Sequence, residues 1–436
     1  MISLLVAASL MGTPAQQPLP TKRQLAWHEM GYYAFVHFGP NTFTDKEWGE
    51  GREDPKVFNP TAFDARQWVR TFKAAGMKGV IITAKHHDGF CLWPSKLSKH
   101  TVAQSPWKRG KGDVLKELSE ACKAEGLKMG VYLSPWDRNH PAYGTPEYNK
   151  VFAGMLKEVL TQYGPIFEVW FDGANGEGPN GKRQIYDWEL FVSTVRKYQP
   201  SAVIFSDAGP DVRWVGNEGG IAGETNWATM DRSKVTIGGA DQAYLNVGDP
   251  LGRDWVPAEC DVSIRPGWFY HASEDSKVKS VEKLLEIWHA SVGRGANLLL
   301  NVPPDRRGLI HENDVAALNG LKQRLDVLYG RDLAIKREAL RQEVTIEVPP
   351  EKLVDRLVIV EDLKFGQRVT SFTIRASGGM AGAGWTELAS GTTIGQRRIV
   401  VFPPLRAKKL RVSMHALRPG EEIKIKLVQV FGPNEE

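Results

Sequence analysis

The carboxylates of this sequence are the side chains whose positions most directly suggest chemistry. Asp172 comes directly after the apolar residues Val-Trp-Phe at 169–171 and precedes Gly173, so it is predicted to close a buried strand. A carboxylate held there can attack an anomeric carbon and form the covalent intermediate of a retaining glycosidase. That reaction needs a second carboxyl group that gives and takes a proton. Three glutamates after residue 208 qualify, and residue type alone does not choose among them: Glu218, Glu224 and Glu259.

Polar and aromatic side chains also close the other predicted strands. They are His37 at the end of the first strand, Lys85, His86, His87 and Asp88 at the end of the second, and Tyr132, Ser134 and Trp136 at the end of the third. The carboxyl ends of barrel strands meet at one face, so we expect these side chains to line one pocket with Asp172. Adjacent residues of a strand point to opposite faces, so His86 and His87 are not expected to bind one metal ion together. Neutral histidine has one donor and one acceptor, which suits a sugar hydroxyl, and we expect neither a metal nor a cofactor.

Strand-like runs that alternate with helical patterns must carry these side chains. The predicted strands are residues 31–39, 79–86, 128–135, 166–172, 202–207 and 296–302. The predicted helices are residues 64–77, 113–127, 147–163, 187–198, 281–292 and 313–329. Two further strands in the loop-rich stretch 208–279 would bring the number of strands to eight. This alternation predicts a TIM-like (β/α)8 barrel over residues 22–335.

The pattern changes after Ala334. Short alternating runs separated by Gly and Pro replace the helical patterns, at residues 344–348, 356–360, 369–375, 398–402, 410–414 and 423–430. Such runs predict a β-sandwich domain over residues 336–436. This domain could bind carbohydrate or support the barrel. The supporting role is favoured, because Trp385 and few other aromatic side chains are available for binding.

Composition and charge exclude several classes of protein. The chain of 436 residues is 42% hydrophobic and 25% charged, as is typical of a globular protein rather than a disordered or membrane one. The net charge of +5 lies in residues 336–436, whereas residues 1–335 are neutral overall and lack the basic stripe of a nucleic-acid-binding protein. Most of the 14 tryptophans lie in this neutral part. Indoles in a neutral region indicate an uncharged ligand with apolar faces, such as a sugar.

The N-terminus has features of an export signal. Residues 2–11 form an apolar run, and the small and polar residues 12–16 follow it. This arrangement predicts a signal peptide over residues 1–15, cleaved after Ala15, and a secreted or periplasmic protein. No later stretch is long and apolar enough to predict a membrane span. The three cysteines are too few and too scattered for a disulfide framework and have no zinc-type spacing.

Several motifs occur together, in order, within residues 22–335. They are Trp27-His28, His37-Phe38-Gly39, Glu47-Trp48, Lys85-His86-His87-Asp88-Gly89-Phe90, Val169-Trp170-Phe171-Asp172-Gly173 and Asn297-Leu298-Leu299-Leu300-Asn301. In these motifs the chain resembles the α-L-fucosidases of glycoside hydrolase family 29. The resemblance implies a catalytic barrel followed by a β-sandwich, and hydrolysis with retention of configuration through an aspartate nucleophile.

Carried over residue by residue, the resemblance implies roles for single side chains. Asp172 becomes the nucleophile, and the implied fucose pocket consists of His37, Glu47, Trp48, His86, His87 and Tyr132. Residues 214–218, Trp-Val-Gly-Asn-Glu, are similar to the motif of the subgroup specific for α-1,3/1,4 linkages. That similarity makes Glu218 the acid/base candidate, ahead of Glu224 and Glu259. Fucose carries a methyl group at C5, for which Trp48 or Trp268 could supply an apolar wall.

The predicted function is therefore that of a retaining exo-α-L-fucosidase. Its expected partners are fucosylated oligosaccharides or glycoconjugates, from which it would remove terminal α-1,3/1,4-linked fucose of branched, Lewis-type glycans. A broad-specificity α-L-fucosidase and a catalytically inactive carbohydrate-binding barrel are the alternatives. Both Asp172 and Glu218 are present, which argues against the inactive barrel. Residues 209–270 carry four tryptophans that could contact a second sugar, although at least half of them are expected only to pack the loops.

Overall fold

The computed structural model describes residues 17–433 apart from residues 240, 341 and 380–383. The predicted signal peptide, residues 1–15, lies outside the described residues and stays a prediction. Within the described ranges, no helix has the length and apolar character needed to cross a membrane. The three cysteines are buried and unpaired.

Eight parallel strands close into a barrel in the order β1-β10-β9-β6-β5-β4-β3-β2. They are β1 (Tyr32–Val36), β2 (Gly79–Lys85), β3 (Lys128–Leu133), β4 (Ile166–Trp170), β5 (Val203–Ser206), β6 (Val212–Trp214), β9 (Ala258–Ser263) and β10 (Asn297–Asn301). Two of them, β6 and β9, lie in the loop-rich stretch where two strands were predicted. A short antiparallel pair, β7 (Thr229–Met230) and β8 (Asp254–Trp255), lies between them in sequence. The TIM-like barrel is thus confirmed.

One helix precedes the first barrel strand, and helices follow all but one of the eight strands. They are α1 (Lys22–His28), α2 (Pro40–Thr44), α3 (Ala65–Ala74), α4 (Val114–Glu125), α5 (Pro146–Gln162), α6 (Trp188–Tyr198), α7 (Gln242–Val247), α8 (Val281–Ala290) and α9 (Glu312–Tyr329). The exception is the link between β5 and β6, residues 207–211, all of which are described and form no helix. Asp64, Asp113 and Asp187 accept hydrogen bonds from the first-turn N–H groups of α3, α4 and α6, as favoured N-caps do.

The inward-facing side chains of the strands fill the barrel. Phe35 of β1, Tyr132 of β3 and Trp170 of β4 form an aromatic layer with ring centroids 5.4 to 5.8 Å apart. Trp170 also lines the cavity at the carboxyl end of the barrel. The aromatic layer therefore forms the floor of that cavity and separates it from the core below.

The C-terminal strands form two antiparallel sheets. One has the order β11-β12-β17-β14-β15 and the other β16-β13-β18. The strands are β11 (Lys336–Leu340), β12 (Glu343–Glu347), β13 (Leu353–Glu361), β14 (Val369–Ser377), β15 (Thr386–Gly391), β16 (Arg398–Arg406), β17 (Lys409–Ala416) and β18 (Ile425–Phe431). Apolar side chains of both sheets share one core, so the β-sandwich is confirmed. The sequence patterns did not predict β11 and β15, whose side chains are mostly exposed.

Specific contacts join the β-sandwich to the barrel. The Gln367 amide accepts from Ala228 N at 2.7 Å and donates to Asn226 O at 2.9 Å. Arg398 pairs with Glu224 at 2.8 Å. These contacts fit a supporting role for the sandwich, whereas the division of the chain between residues 335 and 336 stays a prediction.

Candidate active site

The predicted site residues come from different strand ends but meet at one end of the barrel. Tyr132 lies in β3, Asp172 follows β4, and His37, His86 and His87 follow β1 and β2. Glu218 lies in the loop after β6, and Trp268 lies in the loop after β9. Asp172 and Glu218 line a single cavity of about 300 Å³. The arrangement brings two carboxyl groups to one space at the face where barrel enzymes place their chemistry.

Asp172 is held by two donors and remains accessible. Tyr132 Oη donates to its Oδ2 at 3.0 Å, and Ala174 N donates to its Oδ1 at 2.7 Å. His87 Nε2 lies 3.8 Å from Oδ2. The side chain is 26% exposed, so a ligand in the cavity can reach it. A carboxylate that is fixed by donors but open to the cavity has the properties of a nucleophile.

Glu218 lies in a different environment across the same cavity. Trp268 Nε1 donates to its Oε2 at 3.4 Å. Burial raises the pKa of Glu218, and the negative charges of Asp172 and Glu47 raise it further, although the hydrogen bond from Trp268 opposes this. A carboxyl group with a raised pKa can hold a proton and then release it, as general acid/base chemistry requires.

Three histidines, His37, His86 and His87, cluster beside Asp172. Asn301 Oδ1 lies 2.8 Å from His37 Nδ1, and Ser134 Oγ lies 2.8 Å from His87 Nδ1. Burial lowers the pKa of His37 to about 3 and that of His87 to about 4, although Asp172 raises the latter. Burial also lowers the pKa of His86, and its Nδ1 has no hydrogen-bond partner within the described part of the chain. Neutral imidazoles offer one donor and one acceptor each, which suits sugar hydroxyls.

The expectation that His86 and His87 point to opposite faces is wrong. Their ring centroids are 4.1 Å apart, and both contact residues of the pocket, His86 with Tyr132 and His87 with Asp172. The reason is that β2 ends at Lys85, so strand alternation no longer governs the two residues. Among the residues that the structure describes, no group of three or more His, Cys, Asp or Glu side chains is arranged to hold a metal ion.

Glu47 and Trp268 are joined in one arrangement. Trp268 N donates to Glu47 Oε2 at 2.7 Å, and Phe269 N donates to Oε1 at 3.1 Å. The Trp268 ring lies 5.1 Å from the His37 ring. Trp268 therefore lies between His37 and Glu218, and Glu47 binds its backbone.

Trp48 lies at the rim of the pocket. Its side chain is 59% exposed, and its ring meets those of His87 and Trp136 edge to face at 5.8 and 5.7 Å. An exposed indole above His87 offers an apolar surface to a ligand that enters the pocket.

Several side chains that close strands or were acid/base candidates lie outside the cavity. Glu259 points into the barrel core, where Trp170 Nε1 donates to it at 2.8 Å. Glu224 pairs with Arg294 and Arg398 at the boundary with the β-sandwich. Lys85 forms a buried ion pair with Asp137 at 3.1 Å. The Asp88 side chain lies beneath Gly49. The expectation that all strand-end side chains face one pocket is therefore wrong for Lys85 and Asp88.

Sequence reasoning missed two further acidic residues of the cavity, Asp207 and Asp261. Asp207 accepts from Gly238 N at 2.7 Å, and Asp261 accepts from Trp214 Nε1 at 2.9 Å. Burial and then the charge of Glu218 raise the pKa of Asp261 well above its usual range. Asp207 closes a predicted strand, so the rule that selected Asp172 would also have found it. Asp261 lies inside β9 and has no such signal.

The tryptophans of residues 209–270 divide equally between the cavity and the loops. Trp214 lines the cavity, and Trp268 contacts Glu218. Trp227 and Trp255 are buried away from it, with exposures of 4% and 5%. The expectation that at least half of these indoles pack the loops is confirmed.

Comparison with known proteins shows the family of this chain. The model of the alpha-L-fucosidase family matches residues 19–328, which is most of the chain. The chain belongs to glycoside hydrolase family 29, the α-L-fucosidases. An Arabidopsis thaliana relative, alpha-L-fucosidase 1, is 43% identical over 88% of this chain and 82% of its own. The protein is thus an α-L-fucosidase, a glycoside hydrolase.

Solved structures of family 29 members have the same fold. A member from an unknown rumen bacterium has a TM-score of 0.89 at 43% identity, over 97% of this chain and 78% of its own. A family 29 fucosidase of Ruminococcus gnavus, solved in complex with fucose, has a TM-score of 0.87 at 30% identity, over 97% of each chain.

Proposed function

We propose that this α-L-fucosidase is a retaining exo-enzyme in which Asp172 is the nucleophile and Glu218 is the acid/base. One observation carries the proposal: the two carboxyl groups line the same cavity in unequal environments. Asp172 accepts hydrogen bonds from Tyr132 Oη and Ala174 N and remains accessible from the cavity. Burial and neighbouring charges raise the pKa of Glu218, which favours a carboxylic acid. Such an asymmetric pair is what double displacement requires.

In the first step, an Asp172 oxygen attacks the anomeric carbon of fucose and the glycosidic bond breaks. Glu218 gives its proton to the departing oxygen, so that the aglycone leaves as an alcohol. A fucosyl ester on Asp172 remains. The adjacent donors, Tyr132 Oη and Ala174 N, bind the carboxylate before the attack and orient it toward the cavity.

In the second step, water takes the place of the aglycone. Glu218, now a carboxylate, accepts a proton from this water, and the oxygen attacks the anomeric carbon. The ester bond breaks and Asp172 is released as a carboxylate. Two inversions give net retention, so fucose is released as the α-anomer.

The pocket beside Asp172 has groups that match fucose. His37, His86 and His87 are neutral at physiological pH and can bind hydroxyl groups, and His86 Nδ1 lacks a protein partner within the described residues. Trp268 and the exposed Trp48 offer apolar surface to the C5 methyl group. A pocket with convergent polar groups and aromatic walls is typical of a sugar site.

Linkage specificity is the finer part of the proposal. We infer action on α-1,3/1,4-linked fucose of branched, Lewis-type glycans from residues 214–218. They are similar to the motif of the subgroup with this specificity, and they include the proposed acid/base, Glu218. On the Glu218 side, Trp214, Asp207 and Gln242 line the cavity and could contact the sugar next to fucose. Binding of that sugar would also help to order the scissile bond.

Two measurements test the proposal. Proton NMR during hydrolysis should detect α-fucose before mutarotation, and β-fucose as the first product would contradict retention.

Lewis-type trisaccharides should be hydrolysed fast, α-1,2-linked fucosyl-lactose weakly, and simple aryl fucosides slowly. Similar rates on all three would favour a broad-specificity α-L-fucosidase, and no turnover of any would favour the inactive carbohydrate-binding barrel.

A further inference from the structure

The Glu47 carboxylate is bound by one short segment, residues 267–271. Besides the N–H groups of Trp268 and Phe269, His271 Nε2 lies 2.7 Å from Glu47 Oε1. A Cβ added at Gly267 would lie 2.5 Å from the same oxygen, so the segment and the carboxylate pack without spare room. Glu47 therefore fixes where this segment lies.

The segment matters because Trp268 is part of the pocket. Its indole donates to Glu218 and its ring faces His37. Asn301 Nδ2 donates to Trp268 O at 2.8 Å, which ties the segment to the end of β10. Displacement of residues 267–271 would move a wall of the pocket and a hydrogen-bond donor of Glu218.

His271 lies between two carboxylates. Its Nδ1 is 2.9 Å from Asp45 Oδ1, and its Nε2 is 2.7 Å from Glu47 Oε1. Ionised carboxylates only accept, so both ring nitrogens must carry a proton for both contacts to be hydrogen bonds. The geometry is that of an imidazolium with two charge-assisted bonds.

The other charged groups around His271 do not change this conclusion. Arg306 lies 3.7 Å from Asp45 Oδ1, and Glu274 accepts from Gly267 N at 3.2 Å. Burial lowers the pKa of His271, but the hydrogen bonds and charges of Asp45 and Glu47 outweigh it and raise the pKa above its usual range. Both hydrogen bonds of His271, to Asp45 and to Glu47, form below this raised pKa. One of them is lost as the pH rises through it.

We propose that His271 is a positioning residue of the active site: it ties Asp45 to Glu47 and thereby holds Trp268 beside Glu218. The protonated ring keeps Glu47 in place, and Glu47 binds the backbone of Trp268. Loss of the ring proton loosens the segment that carries the indole. The catalytic consequence rests on the proposed active site around Trp268, whereas the structural link does not.

Hydrogen–deuterium exchange tests the structural link. The peptide that contains residues 267–271 should exchange roughly threefold to tenfold faster above the His271 pKa than below it, after correction for intrinsic rates, because a charge-assisted hydrogen bond is lost. In His271→Gln, exchange should be fast at both pH values. His415→Gln, which changes an exposed histidine of β17, should behave like the wild type. Equal protection of the wild type at both pH values, or unchanged protection in His271→Gln, would overturn the proposal.

Kinetics test the consequence at the active site. An activated aryl fucoside needs little protonation of its leaving group, so its kcat/KM does not depend strongly on Glu218. We expect the wild-type kcat/KM to fall roughly threefold to tenfold across the His271 titration, with His271→Gln low and flat over the same range. If the fall of kcat/KM with rising pH that the wild type shows persists unchanged in His271→Gln, the role of His271 is overturned.

Asp45→Asn provides a second variant that keeps the ring. Without the Asp45 charge the pKa of His271 should fall, so both the exchange transition and the kinetic limb should move to lower pH. If both stay at the wild-type pH, the proposal is wrong. Failure of the proposed function is distinguishable, because full activity of Glu218→Ala would remove the acid/base assignment while leaving the exchange results as they are.

Discussion

Among the carboxyl groups of the barrel, one pair lies above the aromatic layer and another pair lies below it. Asp172 and Glu218 line the cavity, whereas Glu168 and Glu259 lie in the core and are fully buried. Trp27 donates to Glu168, and Tyr33 and Trp170 donate to Glu259. Burial raises the pKa of both lower carboxyl groups. Perturbed pKa values alone therefore do not mark an active site; access to the cavity and unequal environments distinguish the upper pair.

The largest difference between the pairs should appear on removal of the nucleophile. Asp172→Ala should lower kcat/KM by roughly 10⁴-fold or more, because no other group can form the covalent intermediate. Glu168→Gln, in β4 four residues before Asp172, should keep kcat/KM within about tenfold of the wild type. Steady-state kinetics together with circular dichroism measure both. Near-wild-type activity of Asp172→Ala would show that the wrong pair has been assigned.

The acid/base role should depend on the leaving group. Glu218→Ala should slow hydrolysis of oligosaccharides by roughly 10²- to 10⁴-fold, and that of activated aryl fucosides much less, because only poor leaving groups need the proton. Glu259→Gln should not distinguish the two substrates. A larger and leaving-group-dependent loss in Glu259→Gln would move the role to the lower pair.

The lower pair should instead affect stability. Burial, and then the charge of Glu259, raise the pKa of Glu168 well above its ordinary value of 4.5. The folded state then binds a proton that the unfolded state releases, so this contribution to stability is lost as the pH rises. Glu168→Gln cannot ionise, so its free energy of unfolding relative to the wild type should increase by about 1–3 kcal/mol between about pH 5 and pH 8. Denaturant titrations at both pH values measure this, and a constant difference would contradict it.

The smallest effect should come from the excluded candidate Glu224. Its carboxylate is mostly exposed and pairs with Arg294 and Arg398. Glu224→Gln should lower the free energy of unfolding by less than about 1 kcal/mol, because exposed ion pairs contribute little. Its kcat/KM should stay unchanged. A loss of activity comparable to that of Glu218→Ala would require a different acid/base.

The sequence predicts much of this architecture because hydrophobic periodicity is a local property. Alternation located six of the barrel strands and assigned two more to residues 208–279 without bounds, and turn signals located six of the β-sandwich strands. Exposed β11 and β15 lack an apolar pattern and were missed. The strand-end rule found Asp172 and would have found Asp207.

Local sequence patterns do not predict contacts between segments that are distant in the chain. Glu47 stays predicted as a sugar ligand, and the hydrogen bond from the backbone of Trp268 to its carboxylate is a contact that no local pattern reveals. The directions of His86 and His87 depend on where β2 ends. Glu259 could be separated from Glu218 by resemblance, but its burial beneath Trp170 is a property of the closed barrel.

The roles of the upper pair can be tested most directly by azide rescue of two variants, with the anomeric configuration of the fucosyl azide determined by NMR. In Asp172→Ala, azide should enter the vacated space and attack the anomeric carbon opposite the leaving group, which gives the β-azide. In Glu218→Ala, Asp172 still forms the fucosyl ester, and azide should displace it to give the α-azide. The same configuration from both variants, or no rescue of either, would contradict the assignment of nucleophile and acid/base.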